Sequence, residues 1–111
     1  MSASTSLDPA TLTLIERFAD ALWMERGLSR NTLASYQSDL RHCAGWLQNN
    51  RGERLQDAHR DALLNYLAAS VDQGVRPRTS ARRLSALRQF YRWLLRENLA
   101  DKDPTEQIES P

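Results

Sequence analysis

Between Arg76 and Arg96 the apolar residues Leu84, Leu87, Tyr91, Leu94 and Leu95 recur at three- and four-residue spacing, while seven arginines and no acidic residue occupy the stretch. A period of this kind fits a helix with one buried stripe and no other regular structure. On a helical wheel the apolar set falls within about 100°, and Arg78, Arg82, Arg92 and Arg96 cluster on the other side with Gln89 and Ser85. Arg83 and Arg88 lie at the seams, where a stem can pack while the guanidinium projects outward. A one-sided positive face repels itself, so its simplest partner is a polyanion.

The balance over the whole chain conceals this face. Residues 1–72 carry a net charge of −2, residues 73–96 carry +7 and residues 97–111 carry −4, within an overall +1. Segregation rather than total charge is the informative quantity. The cations are fourteen arginines to one lysine, and the planar arginine fork suits bidentate contact with phosphate or guanine.

At 111 residues the chain is expected to form one domain with a modest core. Leucine dominates the apolar set, with valine only at Val71 and Val75 and isoleucine only at Ile15 and Ile108. That scarcity of β-branched residues argues against sheets and for an all-α domain. Cys43, the only cysteine, excludes an intrachain disulfide and sits on an apolar stripe as a small core residue. No apolar run is long enough to span a bilayer, and the first residues lack the regions of a secretory signal, so a cytoplasmic protein without membrane contact is expected. Residues 1–7 read as a disordered tail.

The periodicity predicts four main helices. Asp8 caps the first, Pro9 suits its first turn, Leu7 can staple against Leu12, and Gly27 stops it. Ser29 caps the second, whose stripe is Leu33, Tyr36, Leu40, Cys43 and Leu47. It ends at Asn49, Asn50 and Gly52, with a polar loop over residues 49–56. The third is expected from Asp57 to about Gln73, with Leu63, Leu64, Tyr66, Leu67 and Val71 on its apolar side. The fourth runs from about Arg78 to Glu97, since Pro77 disfavours helix at Arg76. Asp103-Pro104-Thr105-Glu106 reads as a cap followed by a short helical turn.

No catalytic constellation, metal-ligand spacing or glycine-rich phosphate loop is present, and the chain implies no cofactor. His42 and His59 stand in neither a metal-ligand nor a triad pattern. The acidic residues, spaced along helices, read as solvated faces. Two helix starts carry the remaining signal. Ser29-Arg30-Asn31-Thr32 puts hydroxyls and an arginine beside free backbone N–H groups, a combination suited to phosphate; alone it reads as an ordinary cap. Arg78-Thr79-Ser80-Ala81-Arg82-Arg83 repeats the chemistry at the fourth helix, which shifts the balance toward DNA. The nominated contacts are Ser29, Arg30, Thr32, Arg78, Thr79, Ser80 and Arg82 to phosphates, with Arg83 and Arg88 toward the groove.

Residues 12–48, LTLIERFADALWMERGLSRNTLASYQSDLRHCAGWLQ, resemble the first two helices of the tyrosine site-specific recombinases. TSARRLSALRQFYRWLLREN at 79–98 resembles the last long helix of the same domain, and DPTEQIESP at 103–111 resembles the start of the linker to a catalytic domain. The resemblance implies a SAM-like core-binding domain, an orthogonal bundle of four main helices plus a short C-terminal turn, over residues 8–102. It implies that helices two and four face duplex DNA as half of a clamp, and that helix one serves contacts between recombinase subunits. It further implies a dif-type half-site as ligand, a second recombinase of the family as partner, and strand exchange that resolves chromosome dimers at division. The family's catalytic residues match no position here. Tyr36, Tyr66 and Tyr91 inherit no nucleophilic role, and the 111 residues are expected to be a non-enzymatic, monomeric piece of a longer enzyme. A generic helical DNA-binding module, or a protein-interaction domain whose arginine face meets an acidic partner, remains the alternative.

Overall fold

In the computed structural model, which describes residues 6–109, four α-helices carry most of the chain and no strand occurs among the described residues. They are α1 (Pro9–Arg26), α2 (Arg30–Arg51), α3 (Arg60–Asp72) and α4 (Pro77–Arg96). Two compact units divide after Leu55, the first built on α1 against α2 and the second on α3 against α4. Among the described residues no helix is long and apolar enough to cross a membrane.

The first unit begins before its first helix. Asp8 caps α1 by accepting from the Thr11 amide at 3.1 Å and from the Thr11 hydroxyl at 3.2 Å, which accounts for a buried threonine. The Gln48 side chain on α2 then grips the entering strand of chain: its Oε1 accepts from the Asp8 amide at 3.2 Å, and its Nε2 donates to the Ser6 carbonyl at 2.7 Å. Leu7 is half-buried and lies against Gly45. Ser6 and Leu7, expected in the tail, are therefore held by α2; residues 1–5 of that tail lie outside the described residues. The larger buried apolar side chains are Ile15, Phe18 and Leu22 on α1 and Leu33, Leu40, Cys43 and Leu47 on α2, the last three with no exposure. Trp23 is half in solvent, beside the more exposed Met24.

Two boundaries differ from the sequence reading. α2 continues through the two asparagines to Arg51, with the Asn50 side chain donating to the Trp46 carbonyl at 2.9 Å. The polar loop thus shrinks, and Leu55, fully buried, opens a 3₁₀ turn over Leu55–Asp57. Asp57 belongs to that turn, His59 is extended, and α3 starts only at Arg60. A single buried leucine in a polar stretch has no periodic signal, so the sequence suggests a longer loop than the chain forms.

In the second unit α3 buries Ala62, Leu63, Tyr66 and Ser70. Ser70 is accommodated because its hydroxyl donates back to the Tyr66 carbonyl at 3.1 Å. Leu64 and Val71, expected on the buried side, are exposed; each lies roughly 80–100° from Leu63 on the wheel, so both cannot share the face that Tyr66 and Ser70 occupy. α4 buries Ser80, Leu84, Ala86, Leu87, Phe90, Tyr91, Trp93 and Leu94. This is a sector of about half the helix circumference, wider than the expected stripe. Phe90, Ala86 and Trp93 make up the excess, and Phe90 meets Tyr91 edge-on with ring centroids 5.4 Å apart and Trp93 at 6.2 Å. Asn98 ends α4 in the left-handed region at φ 60°, and the Leu99 amide returns to the Leu94 carbonyl at 2.8 Å.

Gly52 closes α2 at φ 63°, and its absent Cβ would meet no atom within 4 Å. Only backbone strain opposes a side chain there. Gly52→Ala is expected to destabilise the protein by about 1–2 kcal/mol in urea denaturation, with an unchanged slope against denaturant.

Candidate nucleic-acid interface

The wide buried side of α4 dictates where its cations go. Arg78, Arg82, Arg92 and Arg96 lie within roughly 80° of one another on the opposite side, and all four are exposed. Among the described residues Arg78 and Arg92 take part in no salt bridge. Arg96 is 3.9 Å from Glu97, at an exposed site where such pairs contribute little. Arg76, the cap residue, is exposed as well. Arg76 and Arg92 stand outside the contacts nominated from sequence, although both belong to the same run of cations. The charge pattern carries the signal for them; the chemistry of the helix start does not.

The start of α4 divides the nominated residues. Pro77 occupies the first turn, and no side chain caps the helix. The early N–H groups of such a helix have no intrahelical acceptor and carry the positive end of the dipole. Arg78 is exposed and Thr79 half-buried beside them. Ser80 is not: it is 4% exposed, with its hydroxyl buried and lacking a hydrogen-bond partner. A phosphate cannot reach that oxygen in this conformation. On the wheel Ser80 falls between Leu87 and Tyr91, so its burial follows from helical period rather than from residue type.

The start of α2 realises the cap in full. The Ser29 hydroxyl accepts from the Thr32 amide at 3.1 Å and donates to the Thr32 hydroxyl at 3.0 Å. Ser29 and Arg30 are exposed, and Thr32 is half-buried. The two hydroxyls therefore hold the helix start in shape, and Arg30 with the neighbouring amides is what a phosphate would meet.

The two groove candidates are drawn inward. Arg83 is half-buried, with Nε and Nη1 shielded from solvent; burial of Phe90, Ala86 and Trp93 carries the buried sector past its seam position. Arg88 is half-buried, and its Nη2 donates to the Ile108 carbonyl. Of the nominated set, Ser29, Arg30 and Thr32 belong to the first unit, and Arg78, Thr79, Ser80, Arg82, Arg83 and Arg88 to the second.

Other groups add no reactive centre. Tyr66 and Tyr91 are buried in the core. Asp39 on α2 is 4% exposed, contrary to the reading of the acids as solvated. An open groove in the second unit is lined by Asp57, His59, Arg60, Asp61, Asp101 and Lys102. Its mixed charges do not extend the positive face.

A family model described as the phage integrase N-terminal SAM-like domain matches residues 15–98. The chain is 54% identical over 98 residues to the tyrosine recombinase XerD of Pseudomonas putida, a match covering 88% of this chain and 33% of that protein. It is 49% identical over 98 residues to the XerD of Pseudomonas aeruginosa, with the same coverage of both chains. To the XerD of Shewanella oneidensis it is 44% identical over 111 residues, all of this chain and 35% of that one. The chain thus spans about a third of the length of the curated relatives it matches. No solved structure matches it.

The burial of Ser80 yields a direct test. Ser80→Ala removes a buried hydroxyl that has no partner, so stability should stay within about 0.5 kcal/mol or rise by up to about 1 kcal/mol. Duplex affinity should not change. A fall in affinity with stability intact would return Ser80 to the interface.

Proposed function

Because the chain belongs to the phage integrase N-terminal SAM-like family, we propose that it is the core-binding domain of a XerD-like tyrosine recombinase and grips one arm of a dif-type site through two segments, one in each unit. The first is the start of α2, where Arg30 and the adjacent amides approach the phosphate backbone. The second is the exposed face of α4, where Arg78, Arg82 and Arg92 track it, with the cap residue Arg76 and Thr79 at the helix start. Arg83, whose Nε and Nη1 are shielded from solvent in this conformation, would have to turn outward to reach the groove. The observation that carries this reading is the concentration of solvent-facing guanidinium groups on one side of one helix. Phosphate contacts of this kind position a protein on a duplex, and base contacts then specify sequence.

In a chain of the relatives' length the remainder would supply the chemistry: a tyrosine attacks the scissile phosphate and expels the 5′-hydroxyl, leaving a 3′-phosphotyrosine, and the 5′-hydroxyl of the exchanged strand then attacks that phosphorus and releases the tyrosine, without metal or ATP. Such a recombinase acts with a XerC-type partner at dif to resolve chromosome dimers at cell division, in the cytoplasm. Trp23 and Met24, exposed at the end of α1, supply an apolar surface for contact with the partner subunit. The domain by itself is monomeric, and its task is binding and orientation.

Salt dependence tests the interface. Arg78→Ala and Arg82→Ala should each lower the magnitude of the log–log slope of duplex binding against salt by about 0.9, with the fold retained by circular dichroism. An unaltered slope in both variants would remove the α4 face from the interface. A chemical-shift titration of the labelled protein with a dif half-site and with a scrambled duplex should move Arg30–Leu33 and the exposed face of α4. Shifts of equal size for both duplexes would argue for a generic DNA-binding module.

A further inference from the structure

The segment after α4 is left out of the duplex-binding reading, yet it is built against the same helix. Asp103 Oδ1 accepts from the Thr105 amide at 2.8 Å and from the Thr105 hydroxyl at 2.6 Å. The Glu106 amide donates to the Asp103 carbonyl at 3.2 Å, and the Ile108 amide to the Thr105 carbonyl at 3.0 Å. Two overlapping turns result, where the sequence suggests a cap and a short helical turn. They bury Thr105 and Ile108, at 1% and 5% exposure, although Glu106, Gln107 and Glu109 around them are exposed. Alternate exposure of this kind marks a strap laid on a surface, not a free linker.

α4 closes the strap. Arg88 Nη2 donates to the Ile108 carbonyl across twenty residues of chain, in a part-buried setting. The donor is charged, which strengthens the bond, and its surroundings limit competition from water. Arg88 stands one turn before Arg92, at the border between the buried side of α4 and its exposed arginine face. One helix therefore carries both the cations offered to the duplex and the anchor of the departing chain.

We propose that Arg88 is a positioning residue: by holding the Ile108 carbonyl it fixes the direction in which the chain leaves α4, and so sets any polypeptide beyond Ile108 in a defined relation to the duplex-facing arginines. The relation to the duplex rests on the duplex-binding reading; the strap itself does not. The relatives extend well beyond the matched region, and a fixed exit would let the grip on an arm orient the polypeptide C-terminal to the strap. Arg88 is accordingly removed from the DNA contacts.

Amide hydrogen exchange and salt-dependent duplex binding, both on the 111-residue protein, separate the two roles. In Arg88→Met the amides of Thr105 and Ile108 should exchange about tenfold faster, while the log–log salt slope stays that of the unaltered protein. Arg88→Lys keeps a charged donor and should restore most of the protection. Unaccelerated exchange in Arg88→Met, or a slope reduced by about 0.9 as for a lost phosphate contact, would overturn the proposal. Should Arg88→Met fail to fold, Asp103→Ala loosens the strap from its other end without touching α4, and the same acceleration at Ile108 is required. Failure of the duplex reading is distinct: it shows as an unaltered slope in both Arg78→Ala and Arg82→Ala and leaves the exchange result standing.

Discussion

Burial of half of α4 is the constraint on which the candidate interface depends. Once Leu84, Leu87, Phe90, Tyr91, Trp93 and Leu94 are removed from water, the helix has only one side left for charge. Arginine side chains resist full burial because desolvating a guanidinium costs several kcal/mol unless it is well paired. The hydrophobic effect therefore gathers Arg78, Arg82, Arg92 and Arg96 on one face without any direct attraction between them. Their mutual repulsion is tolerated because the apolar side holds the helix in place. The same forces that build the core thus prepare a surface for a polyanion.

Helix ends divide their polar groups between structure and recognition. At α1 and α2 the caps Asp8 and Ser29 use their own oxygens on the first-turn amides, which leaves less for an external ligand. α4 has no side-chain cap and begins with a proline, so its first turn retains uncommitted donors next to Arg78. The two starts have similar sequences and different chemistry. At α2 the hydroxyls serve the fold and the arginine faces outward. At α4 the serine is buried, and the arginine and free amides remain.

The C-terminal segment extends the same logic. Thr105 and Ile108 are buried by turns that Asp103 organises, and Arg88 joins them to the helix. A residue at the seam of an amphipathic helix can turn to either side. Its choice depends on what lies nearby, and here a carbonyl lies within reach.

Much of the architecture is legible in linear form. The leucine period and the near absence of valine and isoleucine specify helices, Asp8 and Ser29 mark their starts, and the gap in acidic residues from Gln73 to Arg96 locates the charged face. These are local properties, decided by neighbours within a turn or two along the chain. Tertiary structure alone decided the rest. It buried Asp39 and Leu55, left Leu64 and Val71 in solvent, and turned Arg88 toward Ile108. Each outcome depends on which face of a helix meets another element, and on contacts between residues far apart in sequence. Periodicity marks an apolar arc, but only the neighbours that cover it determine how wide a sector of the helix leaves water.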